Sequence, residues 1–554
     1  MRKILCAIFI FFSITIITSG NNGILMTGPE GKKLEFTISN RYINLPVRPG
    51  AAKRMMKLTI NDKIYDQFTI ELADSIPSFY VFIDLEKHIG KKAVLSASDI
   101  PENSKVYDLI SNDNEIRGAE NLYKEPLRQQ LHFSSRRGWN NDPNGLVYYK
   151  GEYHLYYQHN PYGSGWGNMH WGHAVSKDLV HWTELSETIY PVNEKDAAFS
   201  GSASMDINNT TGFKNGNEDV MIAAYTSTGR GECILYSNDA GRSFDEYSGN
   251  PVLKHPGRDP KIIWYDKGKY WIITVYDETD KKRSIKLYTS PDLKKWEYQC
   301  QVDGLYECPE FFELKVDGTN NSKWVLYAAS GAYYIGSFDG KLFKPESTLI
   351  PNNWGNCFYA SQTFNNIPAN DGRRIQVGWG RVNTPSEPFS QCMLFPTQLT
   401  LRNTENGIRM FTEPVKEIEL LHGREWKKEK LIIRPEENPI SGINGELYHI
   451  KGDFKVGKKT EFGFMIHGTE VLYNASKGEL TCMDKKTELK PENGKIYFEI
   501  IADRNTIEVF CNHGKVYMPV ARDLAKDYGL RFICRNERVR AEKLQIFEMR
   551  PIWK

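Results

Sequence analysis

The sequence predicts an all-β chain centred on a five-bladed β-propeller, with a C-terminal β-sandwich behind it and a small sandwich-like domain ahead. Three observations predict this. Short runs rich in Val, Ile, Tyr, Phe and Trp alternate with Gly, Asn and Asp turns, and long helical periodicity is scarce. A Ser-x-Asp turn closing on an aromatic residue recurs as SKDLVHW from Ser176, SNDAGRSF from Ser237, SPDLKKW from Ser290 and, degenerately, SFDGKLF from Ser337, at intervals of 61, 53 and 47 residues. Strand-like runs precede each copy, as EYHLYYQ and HWGHAV do the first, so a unit of about 50 residues carries the strands of one blade.

In chain order, residues 1–20 read as an export signal. Arg2 and Lys3 precede an apolar run from Ile4 to Ile17 and then Thr18, Ser19 and Gly20, an order of charge, apolar stretch and small residues too short to span a bilayer. Cys6 lies too early for a lipoprotein signal, so release as a soluble periplasmic or extracellular protein is expected. Residues 21–125 hold alternating runs such as KLEFTIS, FTIEL and FYVFIDL, a small β-sandwich followed by a polar linker from Pro101 to Gln130. The propeller is assigned to 126–405, its diverged fifth unit lying between Trp354 and Arg402. Residues 406–554 return to plain alternation, as in EFGFMI and TIEVFCN, and read as the C-terminal sandwich.

Charge and cysteine usage exclude several function classes. The formal charge of +2 falls to zero when the signal is removed, which leaves no basic surplus for nucleic acid or an anionic membrane. The eight remaining cysteines stand singly with no CxxC pair, mostly beside apolar strands, and read as buried free thiols. No zinc signature is present, no metal or organic cofactor is called for, and a monomer is expected.

The carboxylates are more informative. The first blade opens with WNNDPNGLVYY carrying Asp142, the third with GRDPKIIWY carrying Asp259, and the fourth with YECPEFFEL carrying Glu307. These acids precede their own Ser-x-Asp turns by 34, 31 and 30 residues, so all three fall at one phase of the repeat. The first strand of a blade lines the central channel, which brings the three to one mouth. An Asp in a turn is ordinarily a turn former. Three acids at equivalent positions instead suggest the paired carboxylates of glycoside hydrolysis, one acting as acid and the other as nucleophile or base.

WNNDPNGLVYYKGEYHLYYQHNP, MHWGHAVSKDLVHW, FSGSAS, RDPK, ECPEFF and DRNTIEVFCNHG resemble the successive signatures of glycoside hydrolase family 32, the invertases, inulinases and levanases. The resemblance runs from about His132 onward. It implies a propeller with an appended sandwich, and a retaining enzyme that releases β-linked fructose from fructans, fructo-oligosaccharides or sucrose, in an exo mode. It implies Asp142 as nucleophile, Glu307 as acid and base, and Asp259 as the residue that holds fructose hydroxyls, with Arg258 pairing nearby. Asn141, Gln158, Trp166, Phe199 and Ser200 match positions that line the fructose pocket. Asn356-Cys357 before FYA, Pro396-Thr397-Gln398-Leu399 and GWGR from Gly378 depart from the family's usual residues, around the outer pocket.

An endo-acting levanase, a fructan-binding protein without chemistry and an inverting arabinan-type hydrolase are the rival readings. An inverting enzyme needs its carboxyls about 6.5–9.5 Å apart, a retaining one about 5–5.5 Å. His132, His170 and His173 read as structural, and Trp171 is divided between pocket floor and blade core. The N-terminal block, with no cluster of exposed aromatics, reads as a spacer in preference to a carbohydrate-binding module.

Overall fold

A computed structural model describes residues 15–18, 24–28, 31–101, 103–524 and 529–553. Of the segment read as an export signal, residues 1–14 and 19–20 lie outside the described residues. Among the described residues no helix is long and apolar enough to cross a membrane.

The architecture is the one the repeat predicts. Five antiparallel sheets follow one another, with innermost strands Gly138–Tyr149, Ala198–Asp206, Gly257–Tyr265, Glu310–Lys315 and Phe358–Thr363. The recurrent Ser-x-Asp has a local cause. Asp178 Oδ1 accepts the N–H groups of Val180 and His181 at 3.1 and 2.8 Å while Ser176 Oγ binds Asp178, and Ser237 with Asp239 repeats the device. The carboxylate thus satisfies a tight turn that has no ladder partner of its own. The fifth sheet takes its outermost strand from Gly407–Pro414, past the boundary expected at 405. The ring closes at its centre, because Phe389–Ser390 pairs in parallel with Gly138–Trp139 on the open edge of the first blade's innermost strand.

Polar side chains staple the innermost strands to one another. Asn144 accepts the Gly201 N–H at 3.2 Å, Asn365 donates to the carbonyls of Ala203 and Ile262 at 2.8 and 3.0 Å, and buried Lys261 meets Glu310 at 2.8 Å. Gly201 is required by space: a Cβ there would lie 1.9 Å from the Ala224 carbonyl oxygen.

Two C-terminal sheets of six and five strands enclose an aromatic core that includes Phe454, Phe462, Phe464, Phe498 and Phe532. The second apolar cluster is shared between propeller and sandwich, with Phe133 and Phe358 from one and Phe510 and Tyr517 from the other. His132 locks this junction. It is fully buried, with Nδ1 2.8 Å from Asp503 and Nε2 2.7 Å from Glu508.

The N-terminal block is a six-stranded sheet facing a three-stranded one across its own core. The stretch read as a linker is more structured than its composition suggests. Ser111–Asp113 pairs with Tyr42–Asn44, and Arg128, Gln129 and Gln130 are buried where the block meets the propeller and sandwich. Polarity there reflects hydrogen bonds across an interface.

Candidate active site

Four of the five innermost strands break register near their first residues, at Asn140/Pro143, Ala198/Gly201, Arg258/Lys261 and Tyr359/Gln362. Such bulges turn side chains out of the sheet alternation and are common beside active sites. Here they hold Asn141 and Asp142, Phe199 and Ser200, Asp259 and Ala360. The remaining blade reaches the same end through Glu307 and Cys308, which precede its strand with φ of 55° and 43°. Asp259 and Ala360 are also left-handed, at 65° and 45°. Non-glycine residues are held in this region only where surrounding contacts fix them. The Glu307 carbonyl accepts the Ala329 N–H at 3.0 Å, and the Ala329 carbonyl accepts that of Ala360 at 2.8 Å, tying the fourth and fifth blades together.

These backbone devices bring Asp142, Asp259 and Glu307 into one cluster, linked through Cys308 and Arg258. Ser200 Oγ donates to Asp142 Oδ2 at 2.6 Å, and Asn141 Nδ2 donates to Oδ1 at 3.1 Å. Trp139 Nε1 donates to Asn141 Oδ1 at 2.9 Å, which fixes that amide's orientation. The Cys308 thiol lies between two of the acids, 3.7 Å from Asp142 Oδ2 and 3.6 Å from Asp259 Oδ2, and its N–H donates to Asp259 at 3.1 Å. Glu307 is gripped on both oxygens, Oε1 by Arg258 Nη2 and Oε2 by the Tyr359 hydroxyl at 2.6 Å.

Burial is the largest influence on the charges. It pushes the Asp142 carboxyl above its ordinary value, against the hydrogen bonds from Ser200 and Asn141 that favour the ionised form. Asp259 is pushed up to about 7, by burial first and by the nearby Asp142 charge second, with Arg258 opposing. Burial drives the Cys308 thiol up as well, with the surrounding acids adding to it, so it stays a neutral donor.

The pocket-lining positions divide by role. Asn141 and Ser200 touch Asp142 directly. Gln158 is buried and spends its amide on the Ala198 carbonyl at 2.9 Å, supporting the bulge that aims Phe199 and Ser200. Trp166 is 59% exposed on the rim and meets Phe199 edge-on, ring centroids 6.1 Å apart. Trp171 is fully buried, its Nε1 donating to the Phe199 carbonyl at 3.1 Å, which settles it as a blade-core residue. Arg258, expected beside Asp259, has its Nε 3.8 Å from that carboxylate and gives its stronger contact to Glu307. Sequence reasoning missed Tyr359 and the Cys308 thiol. Tyr359 is the last paired residue before its strand's bulge, as Arg258 is in the third blade, but the fifth blade has no Ser-x-Asp turn from which that phase could be counted.

Comparison with known proteins decides the family. Residues 132–414 match the glycosyl hydrolases family 32 N-terminal domain, and residues 417–519 match the family 32 C-terminal domain. The chain belongs to glycosyl hydrolase family 32. As a family 32 chain it is a glycosidase. It is 38% identical over 489 residues to a levanase of Bacillus subtilis, covering 78% of this chain and 72% of that one. It is 33% identical over 355 residues to the extracellular exo-inulinase of Aspergillus niger, covering 53% of this chain and 65% of the relative. The fructofuranosidase of Schwanniomyces occidentalis, solved in complex with fructose, superposes with a TM-score of 0.70 at 26% identity, over 77% of this chain and 99% of that one. The family 32 models leave the residues before 132 unmatched, so the N-terminal block is an addition to the matched region.

Proposed function

We propose that this family 32 chain is a retaining β-fructofuranosidase working from the chain end, releasing fructose from levan, inulin, fructo-oligosaccharides or sucrose. The observation that carries the reading is the meeting of Asp142, Asp259 and Glu307 in one cluster, with Asp142 held by Ser200 and Asn141 and Glu307 gripped by Arg258 and Tyr359. Asp142 attacks the anomeric C2 of a fructosyl unit while Glu307 gives its proton to the leaving oxygen. A fructosyl-enzyme results. Glu307, now a carboxylate, takes a proton from water, which attacks C2 and frees Asp142. Asp259 and Arg258 hold the sugar hydroxyls. Two displacements retain configuration, and the pair of carboxyls needs a spacing of about 5–5.5 Å for this.

Action outside the cell belongs to the same reading, supported by the extracellular naming of the Aspergillus niger relative and by the charged-then-apolar order of residues 2–17.

Product chromatography over time from levan, inulin and sucrose, with Asp142→Asn and Glu307→Gln alongside, tests the proposal. Free fructose from the earliest time point, lost in both variants, is the expected result. Early oligosaccharides would place the cleavage inside the chain, and no release with levan still bound would sink the enzymatic reading.

A further inference from the structure

The N-terminal block is coupled to the pocket rim through one strand. Lys63–Glu71 is the outer strand of its six-stranded sheet, so its edge carries N–H and C=O groups that no neighbouring strand covers. A side chain of the propeller covers part of it. Asn168 Oδ1 accepts the Thr69 N–H at 2.9 Å, and Asn168 Nδ2 donates to the Thr69 carbonyl at 2.7 Å, as a paired strand would. Asn168 sits at φ 42°, a conformation asparagine tolerates better than most residues, two positions from the exposed Trp166.

Two further contacts flank this one. Tyr162, 3% exposed, stacks on Phe68 with ring centroids 3.5 Å apart, and its hydroxyl bonds Asp66. It belongs to the N-terminal core as fully as to the blade that supplies it. His170, on the other side of the loop, is buried with Nε2 3.3 Å from the same Asp66 carboxylate. Asp66, Phe68 and Thr69 therefore hold the segment 160–170 at both ends and at Asn168. Within the segment, Asn160 ties Gly165 and Asn168 together at 2.7 and 2.9 Å. The loop tip that remains carries Trp166, standing edge-on to Phe199, whose neighbour Ser200 bonds Asp142.

We propose that the N-terminal block is a positioning domain for the substrate pocket, bracing the 160–170 loop so that Trp166 stands as a rigid wall for the C–H face of a furanose ring. The inference rests on the pocket being a fructosyl site, as proposed above. A preset aromatic wall lowers the ordering cost of binding and touches no reacting atom. Phe68, Thr69 and Asp66 act through Trp166, so their loss is expected in KM with kcat retained.

The test is a double-mutant cycle of Phe68→Ala and Trp166→Ala in the full chain, with sucrose and levan. Phe68→Ala is expected to raise KM by about 2- to 10-fold, the scale of one edge-on aromatic contact, with kcat unchanged. In the Trp166→Ala background the same substitution should change KM no further. Ile76→Ser, at a 78% exposed site elsewhere in the block, is the control that leaves both constants alone. An equal effect of Phe68→Ala in both backgrounds, or none in either, overturns the proposal. Should Phe68→Ala fail to fold, Asn168→Ala cuts the same link from the propeller side without removing core volume, and an unchanged KM there overturns it too. Amide exchange across residues 163–167 gives a readout independent of catalysis. It should quicken in both variants, and unchanged exchange refutes the brace. Failure of the wild type to release fructose would refute the fructosidase reading alone, and the exchange result would still decide on the brace.

Discussion

Ser200 donates its hydroxyl to Asp142 Oδ2 at 2.6 Å, one blade of the propeller setting the charge of an acid on the next. Burial pushes that carboxyl up and the Ser200 bond opposes it, so Ser200→Ala raises it further. In the nucleophile's role proposed for it, Asp142 works as the carboxylate. The acidic limb of the kcat/KM profile is therefore expected to move to higher pH in Ser200→Ala, while the alkaline limb stays. A pH–rate profile checks this, and an unmoved acidic limb would contradict it.

Asp259 makes the site a source of pH-dependent instability. Its carboxyl rises from 3.8 to about 7 on folding, chiefly through burial, so its contribution to stability is fully present below 3.8 and is lost as pH rises through 7. Asp259→Asn removes the titration. Relative to wild type, the variant's melting temperature should be higher at pH 8 than the comparison at pH 4 would give, although activity is lost. Parallel Tm-against-pH curves would refute this.

His132 shows the opposite sign at the propeller–sandwich junction. Burial alone would lower it, but the hydrogen bonds it donates to Asp503 and Glu508, together with their charges, outweigh that and carry it to about 9. Its stabilisation is complete below the ordinary value of 6.5 and fades as pH rises through about 9. Removing one member of a buried charged group typically costs about 3–5 kcal/mol, because its partners stay buried and unpaired. Denaturant unfolding of His132→Ala at pH 6 should show a loss of that order, shrinking toward pH 10.

Tyr359→Phe isolates one contact to Glu307. The substitution keeps the ring that packs 6.0 Å from Trp379 and lies under Arg381, and removes only the hydroxyl bonded to Oε2. The hydroxyl orients the proposed acid, and a positioned acid–base group contributes roughly 10²–10⁴-fold, so losing this one contact should lower kcat by about ten- to a hundredfold with the melting temperature nearly unchanged. A matching loss of stability would instead mark Tyr359 as a packing residue.

The sequence was legible where the physics is local and periodic. The Ser-x-Asp turns announce themselves because each satisfies its own backbone, and the equal phase of Asp142, Asp259 and Glu307 follows from counting back along a repeat. The family resemblance then named the pocket residues on top of that count. What could not be read depends on ring closure. Tyr359 meets Glu307 only when the fifth blade lies beside the fourth, and the fifth blade carries no Ser-x-Asp turn to reveal its phase. The register breaks at Ala198/Gly201 and Tyr359/Gln362 leave no compositional mark. The polar stretch to Gln130 looked like a linker because buried hydrogen-bonded interfaces and solvated loops use the same residues.

The parallel pairing of Phe389–Ser390 with Gly138–Trp139 joins the last blade to the strand that carries Asp142. Assembly and competence thus coincide. A ribosome that has made everything up to Pro388 has already made all three acids, yet the strand carrying Asp142 still has an open edge. The edge left open until then belongs to the strand that carries Asp142, so closure of the ring and completion of the acid cluster draw on the same residues.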